Sequence, residues 1–247
     1  MIKALVIIPT YKERENIEAI INKVFSLSQP FDILVIDDNS PDETADIVKG
    51  LQKEQENEGR LHLISRTGKL GLGTAYIDGF KYALDHEYEY VIEMDADFSH
   101  NPLDLPQLLE TSSQENHDVA IGSRYVTGVN VVNWPLSRVL LSISASIYVR
   151  FITGMPIKDP TAGYICYKRK VLETINLDKV KFIGYAFQIE LKYIAWKAGF
   201  SIKEIPIIFR DRVKGKSKMS SSIFKEAIFG VISMKLTNYR KMLRKMT

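Results

Sequence analysis

Two aspartates that could share a metal ion stand one residue apart at the end of an apolar run. Residues 90–94 read Tyr-Val-Ile-Glu-Met, and Asp95 and Asp97 follow at once. In an extended chain, residues i and i+2 point to the same side, so both carboxylates can face one point. Such a pair suits a hard divalent cation, Mg²⁺ or Mn²⁺, that also binds substrate phosphates. Asp-x-Asp is a short motif that also fits a solvated acidic loop, so other segments of the chain are needed to distinguish a metal site from such a loop.

Two other apolar runs end in side chains that suit a nucleotide. Tyr11 and Glu13 follow the first run, and Asp37 and Asp38 follow the second. The carboxyl ends of parallel strands share one edge of a sheet, where open α/β sheets bind ligands. Each segment alone could be turn chemistry, since Asp and Pro are common in turns. Together they predict that the aromatic ring and nearby carboxylates bind a base and ribose, and that the Asp95–Asp97 pair binds the metal on a diphosphate.

A glycine-rich stretch and a basic stretch are further candidates for binding phosphate. Residues 68–73, Gly-Lys-Leu-Gly-Leu-Gly, could hold a phosphate or simply begin a helix, and they match neither the Walker nor the dinucleotide spacing. Residues 210–218 contain five Lys or Arg, which suits a mobile loop over a diphosphate or a nucleic-acid patch. Residues 208–247 hold eleven Lys or Arg and two acids, a net +9, so the rest of the +3 chain carries −6. That acidic body would repel a duplex, so we expect no nucleic-acid partner.

The elements that must position these residues alternate between strand and helix. Apolar runs predict strands at residues 2–8, 33–36, 61–64, 88–94, 118–122 and, around a proline, 201–209. Helical spacing and capping signals predict helices at residues 14–27, 73–85, 134–153, 184–199 and 220–245, and helix starts at Ser40 and Asn101. This order predicts an α/β fold with a mostly parallel central sheet flanked by helices. No linker-like composition divides the 247 residues, so we expect one domain.

Composition predicts a soluble globular protein of the cytoplasm. The chain is 45% hydrophobic and 26% charged, and it contains neither a run of 18 apolar residues nor the layout of a signal peptide. The single cysteine, Cys166, lies in an apolar run and is expected to be a buried, inert thiol. The segment 139–153 is broadly apolar, which fits either a helix at a membrane interface or an ordinary core helix. Basic residues within 235–245 could add attraction to anionic lipids.

Several of these segments occur in the order that characterises one enzyme family. They are residues 9–13 (Pro-Thr-Tyr-Lys-Glu), 36–40 (Ile-Asp-Asp-Asn-Ser), 70–76, 94–97 and 122–125 (Gly-Ser-Arg-Tyr), and the likeness continues through 187–190 and 211–218. Over most of its length the chain resembles dolichyl-phosphate (polyprenyl-phosphate) mannose synthases, inverting glycosyltransferases with the GT-A fold. Lys12 departs from the Asn that the family usually has. We therefore expect a GT-A catalytic domain at residues 1–219, a basic amphipathic helix at 220–247 that belongs to it or faces a membrane, and no transmembrane domain.

The resemblance also implies roles for individual residues. Donor contacts are implied for Pro9, Tyr11, Glu13, Ile36 and Asp38. The diphosphate, its Mg²⁺ or Mn²⁺ ion, or both would be bound by Asp95, Ala96 and Asp97, with Gln188 as a further metal ligand. Arg212 and Lys218 would close on the donor phosphates. The acceptor phosphate would be held by Arg124 and Arg138, with Ser142 as a further acceptor-site residue, so the implied catalytic residues are Asp95, Asp97, Arg124 and Arg138.

The implied reaction transfers a hexose, mannose from GDP-mannose, to a polyprenyl (dolichyl) monophosphate with inversion. A phosphate acceptor fits these residues, because a monophosphate is largely ionised at pH 7 and needs arginines to place it rather than a strong general base. The alternatives are another donor, UDP-glucose or UDP-N-acetylglucosamine, a saccharide acceptor, which would need a base, and a module that binds nucleotide sugars without turnover. The expected location is the cytoplasmic face of a membrane, reached by peripheral contact or through a small membrane-protein partner.

Overall fold

One seven-stranded sheet runs through the protein. The computed structural model describes residues 2–54, 59–184, 186–212 and 221–244. Its strands are β1 (Ala4–Thr10), β2 (Asp32–Asp37), β3 (Leu61–Ser65), β4 (Tyr90–Glu93), β5 (Val119–Ser123), β6 (Val131–Val132), β7 (Ile165–Lys168), β8 (Ile202–Pro206) and β9 (Phe209–Arg210). The large sheet has the order β3-β2-β1-β4-β7-β5-β8, while β6 and β9 form a second, small sheet. All neighbouring strands are parallel except β7, which runs antiparallel to β4 and β5. The predicted α/β class with a mostly parallel sheet is confirmed.

Helices cover both faces of this sheet. In the described parts of the chain they are α1 (Ile17–Phe25), α2 (Thr44–Glu54), α3 (Leu72–Asp85), α4 (Leu105–Ser113), α5 (Leu136–Thr153), α6 (Arg169–Thr174), α7 (Ala186–Lys197) and α8 (Ser221–Leu236), with 3₁₀ turns at Pro102–Asp104, Leu177–Lys179 and Tyr239–Met242. Leu5 and Ile7 of β1 enter one apolar core with α3 and α7, whereas Val6 and Ile8 enter a second core with α1 and α4. A strand buried on both faces requires this alternation. Because β1 pairs in parallel with both β2 and β4, the carboxyl ends of these three strands share one edge of the sheet.

Two predicted elements end earlier than expected. The helix predicted over 220–245 is wrong beyond Leu236, because the Asn238 side chain accepts a hydrogen bond of 3.1 Å from the Arg240 amide and begins a 3₁₀ turn. The basic residues that follow therefore do not lie on the helix. The strand predicted over 201–209 is divided: β8 ends at Pro206, and Phe209–Arg210 pairs with β6 instead.

The same capping pattern gave one correct and one incorrect helix start. The side chain of Asn101 accepts a 3.2 Å hydrogen bond from the Leu103 amide, as predicted. The start at Ser40 is wrong, because the Ser40 hydroxyl donates to Asp37 at 2.6 Å and α2 begins only at Thr44. Ser40 thus fixes the loop that follows β2 rather than the helix.

The helix α5 is long, apolar and largely exposed. Among the described helices it alone is long and apolar enough to cross a membrane by length and composition, and 17% of it is buried. Phe151 is 85% exposed, and the Tyr148 hydroxyl donates to the Ile228 carbonyl of α8, which itself leaves Leu236 81% exposed. Such exposure excludes an ordinary core helix, since large apolar side chains in a core are buried. By contrast, Cys166 in β7 is fully buried and burial raises its pKa to about 12, as expected for an inert thiol.

Candidate active site

The Asp95–Asp97 pair lies in a tight turn directly after β4. Asp97 is buried: its Oδ1 accepts a 3.1 Å hydrogen bond from the Ser99 amide, and its Oδ2 lies 3.1 Å from Nη2 of Arg212. Asp95 is more open, with 40% of its side chain exposed, and Ala96 between them is buried. The turn therefore presents one fixed and one accessible carboxylate at the edge of the sheet that was predicted to bind ligand.

A buried histidine, which the sequence did not single out, holds this turn. Nδ1 of His100 accepts a hydrogen bond of 3.1 Å from the Asp95 amide, so this nitrogen carries no proton. Burial lowers the pKa of His100 to about 4, outweighing the nearby charge of Asp97. The ring stacks on Tyr164 with centroids 4.7 Å apart. His100 is thus neutral at pH 7 and positions the backbone of Asp95.

The donor set at this turn fits a divalent cation shared with a substrate. Within the described residues, no group of three or more His, Cys, Asp and Glu side chains could hold a metal alone. Oε1 of Gln188 is a buried acceptor that finds no hydrogen-bond partner among the described residues. A Cβ atom on Gly163 would lie 3.7 Å from both Gln188 Nε2 and His100 Cε1, so the amide neighbours the histidine that holds Asp95. A cation here would need oxygen donors from a bound diphosphate, as Mg²⁺ sites commonly have.

Two neighbouring aspartates after β2 do different work. Asp37 anchors the loop, because its carboxylate accepts hydrogen bonds from the Thr10 hydroxyl at 2.8 Å and from Ser40. Asp38 lies 3.1 Å from Nη1 of Arg66, and its Oδ2 accepts from the Gly71 amide at 3.3 Å. Burial raises the pKa of Asp38 despite the positive charge of Arg66. Asp38 is therefore the one of the two that suits donor recognition, and Arg66, which the sequence did not single out, accompanies it.

The other predicted donor contacts gather around β1. Pro9 and Ile36 stand side by side in the register of β1 and β2. The ring of Tyr11 has the ammonium group of Lys69 4.7 Å from its centroid. Glu13 is buried, with Oε2 accepting a 3.0 Å hydrogen bond from Asn16, and its carbonyl begins the turn into α1. The structure thus brings this set to one edge, although Glu13 also has a structural task.

The glycine-rich stretch is closed by protein atoms. The Gly71 amide donates to Asp38, and the Gly73 amide donates to the Ile183 carbonyl at 2.7 Å. A Cβ atom on Gly73 would lie 2.8 Å from the Phe182 carbonyl oxygen, so the backbone approach requires glycine. These contacts favour the helix start over the phosphate cradle.

The predicted acceptor arginines lie around Trp134. The guanidinium carbon of Arg138 lies 4.0 Å from the Trp134 ring centre, and that of Arg124 lies 5.7 Å from it. Arg138 also forms an ion pair of 2.9 Å with Asp211. Ser142 accepts a 2.7 Å hydrogen bond from the Tyr125 hydroxyl. The structure brings the acceptor candidates into one aromatic cluster.

Arg124 is held by a buried carboxylate that the sequence did not indicate. Asp159 is fully buried and accepts hydrogen bonds from Arg124 Nε and Nη2, both at 2.7 Å, and from the Arg124 amide at 3.0 Å. Burial alone would raise the pKa of Asp159, but the Arg124 guanidinium and its hydrogen bonds hold that pKa below its usual value. This two-point contact fixes the guanidinium rigidly.

Two further titratable groups, Glu93 and Lys192, are buried beneath the site. Burial raises the pKa of Glu93, the last residue of β4, to about 8 against the lowering effect of Lys192. Burial lowers the pKa of Lys192 to about 8, against the raising effect of Glu93, and its ammonium donates to the Ala162 carbonyl at 2.5 Å. Local sequence gives no signal for this pair, because the partners are far apart in the chain. Lys218, the remaining predicted donor residue, lies outside the described residues.

Curated proteins with related sequences share one activity in their names. The chain is 47% identical over 93% of its length, and 85% of the relative's, to "Polyprenol monophosphomannose synthase" of Mycolicibacterium smegmatis. It is 41% identical to "Undecaprenyl-phosphate mannosyltransferase" of Micrococcus luteus, covering 93% of this chain and 92% of that protein.

A solved structure and a family profile agree with the architecture. Glucosyl-3-phosphoglycerate synthase from Mycobacterium tuberculosis, solved with Mn²⁺, UDP and glucosyl-3-phosphoglycerate, superposes with a TM-score of 0.67 at 17% identity, over 96% of this chain and 81% of that one. This likeness shows the fold, which confirms the predicted GT-A architecture. The profile described as "Glycosyl transferase family 2" matches residues 5–175. With that match and the relatives at 41% and 47% identity, the chain belongs to glycosyl transferase family 2.

Proposed function

We propose that the protein transfers mannose from GDP-mannose to a polyprenyl monophosphate with inversion at the sugar. One observation carries the proposal: adjacent residues, Asp211 and Arg212, contact Arg138 at 2.9 Å and Asp97 at 3.1 Å. One short segment therefore contacts both a carboxylate suited to the metal ion of a donor diphosphate and an arginine suited to an anionic acceptor. The relatives named as polyprenyl-phosphate mannosyltransferases support the choice of sugar and acceptor.

The residues of the chain fit an inverting displacement. Asp95, Asp97 and Gln188 would hold Mg²⁺ or Mn²⁺, which would stabilise the negative charge on the departing diphosphate. Arg212 and Lys218 would add positive charge to the same leaving group. The acceptor phosphate oxygen attacks the anomeric carbon from the face opposite the diphosphate. A C–O bond to the acceptor phosphate forms as the bond between the anomeric carbon and the diphosphate oxygen breaks. The electron pair of the broken bond leaves with the nucleoside diphosphate.

No essential general base is needed for this step. A phosphate monoester has a second pKa near 6, so its attacking oxygen is already ionised at pH 7. Arg138 and Arg124 would place that oxygen and reduce its repulsion from the diphosphate. A saccharide acceptor would instead carry a hydroxyl proton that a side chain must remove.

The lipid part of the acceptor suits the exposed helices. Arg138 lies in the first turn of α5, so a prenyl chain attached to its bound phosphate would start beside this apolar helix. The large side chains Leu140, Ile147 and Phe151 are 57%, 59% and 85% exposed. We propose that α5 and α8 contact the cytoplasmic face of a membrane. Sedimentation with anionic liposomes tests this, and loss of binding in a Phe151→Ser variant, with unchanged thermal unfolding, is the expected result.

A donor screen tests the reaction. GDP-mannose, UDP-glucose, UDP-N-acetylglucosamine and two other nucleotide sugars are each incubated with polyprenyl phosphate and Mn²⁺ or Mg²⁺, and lipid-linked sugar is measured. We expect product from GDP-mannose, and a loss of about 100-fold or more in kcat/KM for Asp97→Asn, because the leaving group loses its stabilising charge. Asp46→Asn, at an exposed ion pair with Lys49, is the matched control and should leave kcat/KM unchanged.

Other outcomes of the screen would replace the proposal. Product from a UDP-sugar alone would overturn the donor assignment. Binding of GDP-mannose without nucleotide release in the presence of polyprenyl phosphate would favour a module that only binds nucleotide sugars. If Arg124→Ala and Arg138→Ala both keep the wild-type acceptor KM and kcat, the acceptor assignment is wrong.

A further inference from the structure

Two adjacent residues after β9 occupy both halves of the site. The Asp211 amide donates to the Val132 carbonyl at 3.1 Å, which continues the β6–β9 pairing and fixes the segment beside Arg138. Oδ2 of Asp211 lies 2.9 Å from Nη1 of Arg138, and Nη2 of Arg212 lies 3.1 Å from Oδ2 of Asp97. Successive residues of opposite charge are thus paired with opposite charges in two different subsites.

Each ion pair has the chemistry of the ligand expected at that place. A carboxylate on a guanidinium presents oxygen acceptors as a phosphate does. A guanidinium on Asp97 supplies the positive charge that a metal ion would supply. Asp211 therefore competes with an acceptor phosphate for Arg138, and Arg212 competes with a metal–diphosphate complex for Asp97.

A local hydrogen bond links the two competitions. The Arg212 amide donates to Oδ1 of Asp211 at 3.1 Å, while the other oxygen of the same carboxylate faces Arg138. A shift of the Arg212 backbone toward donor phosphates would therefore draw the Asp211 carboxylate with it. The side chains of Asp211, Arg212 and Arg138 are 31%, 26% and 38% exposed, so none is locked in a core.

We propose that Asp211 and Arg212 couple the two subsites, so that binding of the donor nucleotide and metal frees Arg138 to receive the acceptor phosphate. Asp211 is a positioning residue in this scheme: while it is paired with Arg138, that arginine binds the acceptor phosphate less tightly. The inference rests on the proposed function, because it needs a diphosphate at Asp97 and a phosphate at Arg138. By linkage, acceptor phosphate must strengthen nucleotide binding by the same factor.

The expected coupling is modest. Partly exposed ion pairs contribute little free energy, because water screens them and both side chains lose freedom when they pair. The acceptor affinity of the wild type should therefore rise roughly three- to tenfold when nucleotide and metal are bound. Removing the Asp211 charge should give most of that gain without nucleotide.

Calorimetry with a soluble short-chain prenyl monophosphate tests the coupling. The Kd is measured with and without GDP and Mn²⁺ for the wild type, Asp211→Asn, Asp211→Glu and the surface control Asp46→Asn. We expect Asp211→Asn to bind the prenyl phosphate several-fold more tightly without nucleotide and to show almost no further gain with it. Asp211→Glu, which keeps the charge, and Asp46→Asn should both follow the wild type.

The outcomes separate this inference from the proposed function. If the wild type binds prenyl phosphate and GDP–Mn²⁺ but each is indifferent to the other, the coupling is wrong and the proposed function stands. The same holds if Asp211→Asn keeps the wild-type response to nucleotide. If the wild type binds no prenyl phosphate under either condition, the proposed acceptor is wrong and the coupling falls with it.

Discussion

Replacing Asp159 by Asn should destabilise the protein by several kcal/mol. Asp159 has no exposed surface, and its carboxylate accepts from Arg124 Nε and Nη2 at 2.7 Å and from the Arg124 amide at 3.0 Å. An Asn side chain has one oxygen, and its NH₂ group would face a guanidinium that only donates. Removing one partner of a buried ion pair costs about 3–5 kcal/mol, because the remaining charge keeps its desolvation cost. We expect a loss of that size in the free energy of unfolding at pH 7.

The loss should depend on pH with a definite sign. Arg124 holds the pKa of Asp159 in the folded protein below the ordinary value of 3.8. The stability contributed by ionised Asp159 is therefore fully present above pH 3.8 and disappears as the pH falls through the folded pKa. The wild type and Asp159→Asn should differ most at neutral pH, and the difference should narrow in acid below 3.8.

Urea denaturation followed by circular dichroism measures both effects. With an m value of about 3 kcal/mol/M, a loss of 3–5 kcal/mol lowers the urea midpoint by roughly 1–2 M. Asp46→Asn should leave the midpoint unchanged, because its ion pair with Lys49 is exposed. The double variant Arg124→Met/Asp159→Leu should lose less than the sum of the single variants, since no charge is left alone. A loss below about 1 kcal/mol for Asp159→Asn, or one that does not change with pH, would refute the reasoning.

Two further substitutions test close packing and buried charge. Gly73→Ala should lower stability by about 1–3 kcal/mol in thermal unfolding, because its Cβ would lie 2.8 Å from the Phe182 carbonyl oxygen, whereas Gly68→Ala, with no atom within 4 Å, should not. Equal melting temperatures for the two variants would contradict this. The pKa of Glu93 is raised from 4.5 to about 8 in the folded protein, so between pH 5 and 7 this carboxyl is ionised in the unfolded chain and protonated in the folded one. The wild type therefore loses stability as the pH rises from 5 to 7, and Glu93→Gln should gain at most about 1.4 kcal/mol per pH unit relative to it. A stability difference that is constant over pH 5–7 would exclude the buried acid.

The sheet and its predicted ligand-binding edge could be predicted, because short apolar runs indicate the strands and the polar residues after them indicate the edge. The run at 2–8 overlaps β1, the run at 33–36 lies within β2, and the run at 88–94 contains β4. The polar ends of these strands meet as expected. The antiparallel strand β7 was not predicted. Its sequence, Ile-Cys-Tyr-Lys, is an apolar run whose place between β4 and β5 depends on partners more than 40 residues away.

Helix boundaries failed where a polar side chain had a choice of partner. Ser40 and Asn101 both directly precede a proline, a pattern that predicts a helix start. Asn101 caps its turn, whereas Ser40 donates to Asp37, three residues earlier. The amphipathic pattern after Ser221 likewise continued into basic residues, although Asn238 stops the helix. Capping residues compete for whichever backbone or side-chain group the fold brings near, and local sequence does not contain that information.

The site residues that the sequence missed share one physical property. All of them are buried, titratable side chains: Arg66, His100, Asp159 and Lys192. Except for His100, each is also distant in the chain from the group that it contacts. A single Asp or Lys in a sequence has many solvated uses, so its type gives no signal. The residues that were predicted, such as Asp95 and Asp97, form patterns within a few positions. Local spacing revealed the groups suited to contact ligands, and the fold was needed to reveal the groups that hold them.

The two arginines near Trp134 are not equivalent in charge. Arg124 is paired with a fully buried carboxylate through two hydrogen bonds of 2.7 Å, so much of its attraction for an anion is already compensated. Arg138 is paired with Asp211, whose side chain is 31% exposed and can be displaced into water at little cost. An incoming phosphate therefore competes more easily for Arg138, while Arg124 gives a fixed guanidinium that keeps the site in shape. Arg138→Ala should accordingly raise the acceptor KM and change the free energy of unfolding little. Arg124→Ala should mainly lower the free energy of unfolding, because removing Arg124 leaves Asp159 as a buried charge without its partner.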